Sequence, residues 1–504
     1  MKLRIPVAAA SMLMSAALLT ACVGQSTASQ DEGTITIALN GPIDTWNPQE
    51  ALTTQSFAVY PQVFASLLST SPDGSAIEPG LAESYEFDDT AKTITFHLDP
   101  AATFSNGDPV TSADVAYSEG LWAAGELYGS YFSSIASVDA PDEQTVVFTL
   151  TAPDHALLGI LATANAAVVP EDLGGVDAAT FWKKPVSAGA YRIASEDVGQ
   201  SITLERNEHF AGDGSDLPQI VEYVMVADAA QQLLQFQSGK VDVVNDVQLD
   251  SAGQYDPSRL QSTTSAGVVV LMLNTQVAPL DDPQLRRAIN LAIDHEALLA
   301  GGFADLAVAA TSVLPQVVPG VAACEECDWP TTDVAAATEL VEASGYDGQT
   351  ITMTVPSEVG PEKLAAQALV PMLAEAGIDV ELAAVPESAF IEKLENGDYS
   401  VAPIVYNALA PSAVDPLGFL AATGILFTGS DPTAANDAIA ALTAATDEQA
   451  TQAATAGFEA WAFEHTPLVP LGVPDVIYAV SERVEGFVPN PYKAWYVEDV
   501  TLTR

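Results

Sequence analysis

Apolar and polar positions alternate with a period of two in four stretches of this chain: Thr34 to Leu39, Thr93 to Leu98, Glu143 to Leu150 and Ser201 to Glu205. Such alternation predicts strands with one face covered. Val268 to Leu273 is a continuous apolar run, as expected for a strand covered on both faces, and Val241 to Val244 reads as a shorter strand. Elsewhere the period lengthens. Val59, Val63 and Leu67 predict a helix over 57–68, followed by the turn Ser71-Pro72-Asp73-Gly74. A helix over 228–238 has Asp228 as cap, Leu233 and Leu234 inward and Gly239 as stop. Thr111 caps another, with Asp114 placed to favour the helix dipole. Asp282-Pro283 opens a helix with Leu285, Ala288, Ile289, Ala292 and Ile293 on one face, and Asp294 caps a second that ends at Gly301-Gly302. The spacing over 364–376 is helical but contains Pro371, which costs about 3 kcal/mol in a helix interior and predicts a kink or break before the stop at Gly377. Strands and helices alternate throughout, so the fold class is α/β.

The amino terminus follows another rule. Lys2 and Arg4 precede thirteen uncharged residues from Val7 to Leu19, the pattern of a secretory signal and too short to span a bilayer. Leu19-Thr20-Ala21-Cys22 resembles the bacterial lipobox. That resemblance implies cleavage after residue 21, lipidation of Cys22 and an extracytoplasmic protein anchored to the outer face of the cell membrane. Residues 22–32 then form the lipidated cysteine and a flexible linker.

Composition narrows the chemistry. Sixteen Lys and Arg against 67 Asp and Glu give a net charge of −51, which excludes nucleic acid as partner and disfavours an anionic surface. Cys324-Glu325-Glu326-Cys327 favours a local disulfide in an oxidising compartment. Unpaired thiols, or redox or metal chemistry, are the weaker readings, because adjacent glutamates raise thiol pKa values and no histidine lies nearby to complete a zinc site. The histidines, 97, 155, 209, 295 and 465, lack metal-ligand spacing. No nucleophile elbow, phosphate loop or dinucleotide fingerprint occurs, so neither an enzyme nor a cofactor is expected.

Several separate segments together resemble the extracytoplasmic solute-binding proteins of ABC importers, the peptide/nickel-type family 5. They include Glu78-Pro79-Gly80-Leu81, Phe104-Ser105-Asn106-Gly107-Asp108-Pro109-Val110-Thr111, Ser187-Ala188-Gly189-Ala190-Tyr191, Gln237-Ser238-Gly239-Lys240, and Leu273-Asn274 followed by Leu285-Arg286-Arg287-Ala288-Ile289. Thr466-Pro467-Leu468 and Val484-Glu485-Gly486-Phe487 complete the order. Most of these have plain structural readings: Gly80 and Gly189 as backbone punctuation, and Arg286 and Arg287 as partners for some of the many acids.

The resemblance implies a periplasmic-binding-protein-like type II fold, two α/β lobes around a cleft with an extra α+β domain inserted in the first. Mapped here, lobe I takes 33–60, 186–272 and 477–504, the insert 61–185, and lobe II 273–476, with hinges near 270–275 and 475–480. It also implies a monomer that closes on its solute and docks on an ABC permease pair with cytoplasmic ATPases. In peptide-binding members an aspartate shortly after a Trp of the second lobe pairs with the ligand's α-amino group. Here Tyr406 takes the Trp position, and the aspartate would fall at Leu409 or Ser412, neither of them acidic. Asp415-Pro416 matches a separate, mostly structural acid-Pro pair of the family, and Asp415 could substitute if the loop is remodelled. The cleft candidates are Trp46, Phe57, Asn274, Tyr406, Asn407 and Asp415, with packing as the alternative role for each aromatic. A short or modified peptide is the expected solute. An oligosaccharide or another small organic solute is the alternative within the class, and an exported sensor lipoprotein without transport is the alternative outside it.

Overall fold

The computed structural model describes residues 33–212, 217–322, 324, 326–357, 360–422, 433–445 and 448–503. The signal segment, Cys22 and the linker lie outside the described residues.

A long strand, Leu468–Val480, ties the molecule together. Its first half pairs with Gly267–Leu273, which in turn pairs along its whole length with Val401–Asn407. The second half pairs with Leu260–Thr264 and with Val243–Val244. Two strands thus cross between two halves of one sheet, at 265–267 and 473–475. Beyond the crossing, Thr34–Leu39 lies between Val243–Val244 and Ile220–Met225, parallel to both. Being central, it is buried on both faces, more deeply than its alternating pattern predicts.

Gly267–Leu273 carries out the two-sided burial expected of its sequence. Val269, Leu271 and Leu273 enter one core with Leu285, Ala288, Ile289 and Ile293. Val268, Val270 and Met272 enter another with Tyr406, Leu417 and Phe458. The helices that build the first of these cores begin where their caps predict. Asp282 accepts from Gln284 N–H at 2.7 Å to start Pro283–Leu291, and Asp294 accepts from Ala297 N–H at 3.0 Å to start His295–Gly302.

The strands Ala82–Phe87, Thr93–Leu98, Thr145–Leu150 and Ile135–Asp142 form a separate antiparallel sheet, in the order 82–87, 93–98, 145–150, 135–142. Ile94, Phe96, Val146 and Phe148 face a core of their own with Val115 and Trp122 of the helix Ser112–Ala123. Asp114 caps that helix reciprocally, accepting from Thr111 N–H at 2.8 Å.

Four expectations change. The first helix is Thr54–Val63 rather than 57–68; the chain turns extended at Phe64, so Val59 and Val63 join one core and Leu67 another. In Ala229–Gln237, Leu234 is 63% exposed, and Gln232 is the buried side chain, donating to Val226 O at 2.7 Å. Pro361–Glu375 runs through Pro371 without a break, because that residue sits on the exposed face where water can serve the freed carbonyl. Arg286 donates to main-chain carbonyls rather than to acids: His465 O at 2.7 Å and Leu280 O at 2.8 Å, while Arg287 stacks over Phe463. Cys324 and Cys327 are joined by a disulfide with Cα atoms 5.2 Å apart.

Candidate functional site

The two halves and the four-stranded domain meet along one seam. Val401–Asn407 ends there, and the chain runs irregularly until Val414–Ala422. Ligands of open α/β sheets gather outside the carboxyl ends of strands, so this connection is a natural place to look. Ala408 N–H donates to Ala266 O at 2.8 Å, which ties the connection to the crossing strands. Ala410 is buried in the core of the four-stranded domain, and Pro411 packs so closely on Gly159 that a Cβ there would lie 2.9 Å from Pro411 O. Asp415, only 2% exposed, organises the turn: Leu409 N–H and Ala410 N–H donate to Oδ2, the latter at 3.2 Å. Its Oδ1 accepts from the hydroxyl of Tyr131, across the seam, at 2.7 Å. Burial pushes the Asp415 carboxyl up to about 6 although all three donors favour its charged form.

Two cavities flank the seam. The larger, of about 310 Å³, has walls from the first helix (Phe57, Pro61, Phe64), from the four-stranded domain (Leu68, Leu81), from Leu409 and Pro411, and from the carboxyl-terminal segment (Asn490, Tyr492, Tyr496). The smaller, of about 210 Å³, lies against the crossing strands. Asp246 to Asp250 and Lys493 face it from one half, Gly360, Pro361, Leu364 and Asn407 from the other, and Pro474 to Val476 form its floor. Lys493 Nζ lies 2.9 Å from Asp246 Oδ2, so that cation is already paired. Asp250 and Asp475 add two further carboxyls, and burial raises that of Asp475 above its usual range.

Of the six residues proposed from sequence, two line these cavities: Phe57 the larger and Asn407 the smaller. The other four are placed inside the fold. Trp46 is 4% exposed, donates Nε1–H to Glu196 at 2.7 Å and packs against Tyr60, because the loop after the first strand folds back onto the first helix. Asn274 donates to Gly397 O at 3.1 Å and Tyr399 O at 2.8 Å, joining two segments of the second half. Tyr406 is buried and donates to Val313 O. Asp415 is held by its three internal donors. Leu409 lines the larger cavity, and Ser412 is buried. Sequence reading missed Tyr131, Tyr492, Lys493 and the acids 246, 250 and 475. Position alone could have flagged Asp246 to Asp250, which follow the carboxyl end of the strand Val243–Val244.

No group of three or more His, Cys, Asp or Glu residues is poised to hold a metal, and no helix is long and apolar enough to cross a membrane, among the described residues.

The family model described as bacterial extracellular solute-binding proteins, family 5 Middle, matches residues 76–424. A probable D,D-dipeptide-binding periplasmic protein of Escherichia coli, DdpA, is 27% identical over 354 residues, covering 68% of this chain and 67% of that protein. The crystal structure of Haemophilus influenzae OppA in complex with the peptide RPPGFSPFR superposes with a TM-score of 0.78 at 21% identity, covering 94% of this chain and all (100%) of the other. That of the binding protein AgaA in complex with agropinic acid, from Agrobacterium, superposes with a TM-score of 0.75 at 25% identity, covering 94% and 99%.

Proposed function

This chain belongs to family 5 of the bacterial extracellular solute-binding proteins, and from that premise we propose that it captures short or modified peptides for an ABC importer. It does so between the two halves of the sheet, and it hands the solute to a permease pair driven by cytoplasmic ATPases. The fold is the two-lobed type II arrangement of its structural neighbours. We place the hinges where the two strands cross, at 265–267 and 473–475, just before the positions near 270–275 and 475–480 expected for them; the insert runs from 61 to 185. The protein acts as a monomer without catalysis. Acyl chains on Cys22 hold it at the outer face of the cell membrane.

One observation carries the reading: two cavities lie along a seam whose walls come from both halves, so a solute there touches both when they close and favours the closed state. The smaller cavity also replaces the missing amine site. Asp250 and Asp475 stand beside the compensated pair Asp246–Lys493, an excess of negative charge suited to a peptide's α-ammonium group. A second reading, a small non-peptide solute, draws on AgaA, whose structure holds agropinic acid.

A thermal-shift screen of the soluble domain tests both. A peptide at 100 times its Kd should raise stability by about 2.7 kcal/mol. If small organic solutes shift the unfolding temperature and di- to hexapeptides do not, the second reading replaces the first. Replacing Cys22 by Ser should release the protein from membranes; continued attachment would exclude the lipid anchor.

A further inference from the structure

We propose that closing the halves takes up a proton at Asp415, so that capture of the solute is coupled to pH. This deepens the solute-capture reading and rests on it.

The position of the carboxyl carries the proposal. Asp415 stands in the first turn of Val414–Ala422, a helix of the second half, yet part of its enclosure comes from across the seam. Its own turn supplies Leu409 N–H and Ala410 N–H to Oδ2, and Tyr131 supplies the third donor, to Oδ1 at 2.7 Å. Gly418, on the same face of that helix, lies against the Tyr131 ring: a Cβ there would be 3.5 Å from Cε1. The preceding turn is packed as tightly, since a Cβ on Gly159 would lie 3.0 Å from that of Ser412. Asp415 is only 2% exposed as a result. Parting the halves at this seam removes the Tyr131 donor and admits water to the carboxyl.

No cation compensates the charge. The titratable groups within electrostatic reach, among the described residues, are three tyrosines from the other side of the seam: Tyr128, Tyr131 and Tyr492. Charged groups on the surrounding elements are engaged elsewhere. Lys493, next to Tyr492, pairs with Asp246 at 2.9 Å. Asp154 accepts from Leu157 N–H at 3.1 Å, and the His155 ring packs on that of Phe87, centroids 4.3 Å apart. Glu459 is held by Ser312, Val313 and Leu314. Glu126, ahead of Tyr128, and Asp437, on the neighbouring helix Thr433–Thr443, are exposed.

A carboxylate buried without a counter-ion bears a desolvation cost that the protonated acid escapes. Protonation need not break the contact, since Oδ1–H can then donate to the Tyr131 oxygen. In the closed form burial lifts the carboxyl to about 6. In the open form water solvates it and its two main-chain donors remain, so it falls back toward the ordinary 3.8. The closed form therefore binds a proton that the open form releases. Affinity rises as pH falls from about 6 toward 4, and is flat above that window.

The test is calorimetry on the soluble domain with oligoalanines of two to six residues, at constant ionic strength and in buffers of differing ionisation enthalpy. Binding at pH 5 should take up about 0.8 proton and be about tenfold tighter than at pH 7.5. Asp415→Asn, a neutral mimic of the protonated acid, should abolish that uptake and the part of the pH dependence that it causes. The difference between the two proteins separates Asp415 from the acids of the smaller cavity. Tyr131→Phe removes a donor that favours the charged form, so it should move the rise in affinity to higher pH. No proton uptake by the parent, equal uptake in Asp415→Asn, or an unshifted profile in Tyr131→Phe would overturn the coupling while leaving solute capture standing. Absence of binding by every oligoalanine at every pH, with the domain folded, would overturn both.

Discussion

Tyr131 and Asp415, 284 residues apart in sequence, meet across the seam through a 2.7 Å hydrogen bond from hydroxyl to carboxylate. Tyr131 belongs to the short 3-10 turn beside the four-stranded domain, and Asp415 to the first turn of a helix in the second half. If the halves part along this seam, as the proposed capture mechanism requires, the bond is lost. Tyr131→Phe removes it and leaves Asp415 with its two main-chain donors. A hydrogen bond to a charged group contributes about 1.5–3 kcal/mol, so closure should weaken by that order. Ligand affinity measured by calorimetry should fall about tenfold or more, and small-angle scattering of the free protein should shift to a larger radius of gyration. Unchanged scattering and affinity would show that the bond does not hold the closed state.

The acids of the smaller cavity lead to a separate expectation. If Asp250 and Asp475 receive the peptide's α-ammonium group, acetylating the peptide amine should cost about 2 kcal/mol or more of binding, as for a charged hydrogen bond lost. The same acetylation should matter little in the double variant Asp250→Asn, Asp475→Asn. Equal losses in parent and variant would place the amine elsewhere.

Acidity should stabilise this protein over a defined range. Burial holds the Asp415 carboxyl at about 6 and that of Glu459 at about 7, above the ordinary 3.8 and 4.5. Both pKa values are raised in the folded state, so between pH 7 and pH 4 the folded chain binds protons that the unfolded chain does not. Stability then rises as pH falls through this window, and the gain is complete below the unfolded values. The net charge of −51 acts in the same direction by self-repulsion, so the scan belongs in 1 M salt, where the Debye length is about 3 Å. An unfolding temperature that is flat or lower at pH 5 than at pH 8 would contradict the assignment.

Gly189 is needed for a close approach rather than for an unusual dihedral. A Cβ at this position would lie 2.5 Å from the carbonyl carbon and oxygen of Val63, in the main chain at the end of the first helix. Gly189 N–H also donates to Val63 O at 3.0 Å, so the backbone cannot simply retreat. Gly189→Ala should destabilise by about 1–3 kcal/mol, as overpacking does, read as a lower denaturant midpoint. Gly253→Ala, with nothing within 4 Å of its added Cβ, serves as the tolerant control.

Local features of the fold were legible in the sequence where one segment contains the whole cause. The caps Asp228, Asp282 and Asp294 stand where expected, each accepting from a main-chain N–H two or three residues on. The two-sided burial of Val268 to Leu273 is equally clear, because a run of apolar side chains has no polar face to show to water. The candidate site was much less legible. Asp415 and Asn274 are conspicuous polar residues within the family motifs, and the structure uses both as internal fasteners. Tyr492 and Lys493 sit in an unremarkable carboxyl-terminal stretch, and they gain significance only from the cavities they face.

By itself, then, the sequence determined the elements, their caps and, through its ordered motifs, the family. Tertiary structure decided which apolar surfaces meet. Val63 and Leu67 have one helical spacing, yet they enter different cores because the helix stops at Val63. It also decided which polar groups are paired: Trp46 donates to Glu196, whereas the buried Tyr492 hydroxyl has no hydrogen-bond partner among the described residues. The physical reason is range. Periodicity and capping follow from dihedral geometry and neighbours within a few residues. A binding cavity is a gap left between surfaces, here drawn from residues 57 to 498, and its shape and its unpaired groups exist only after distant segments have packed.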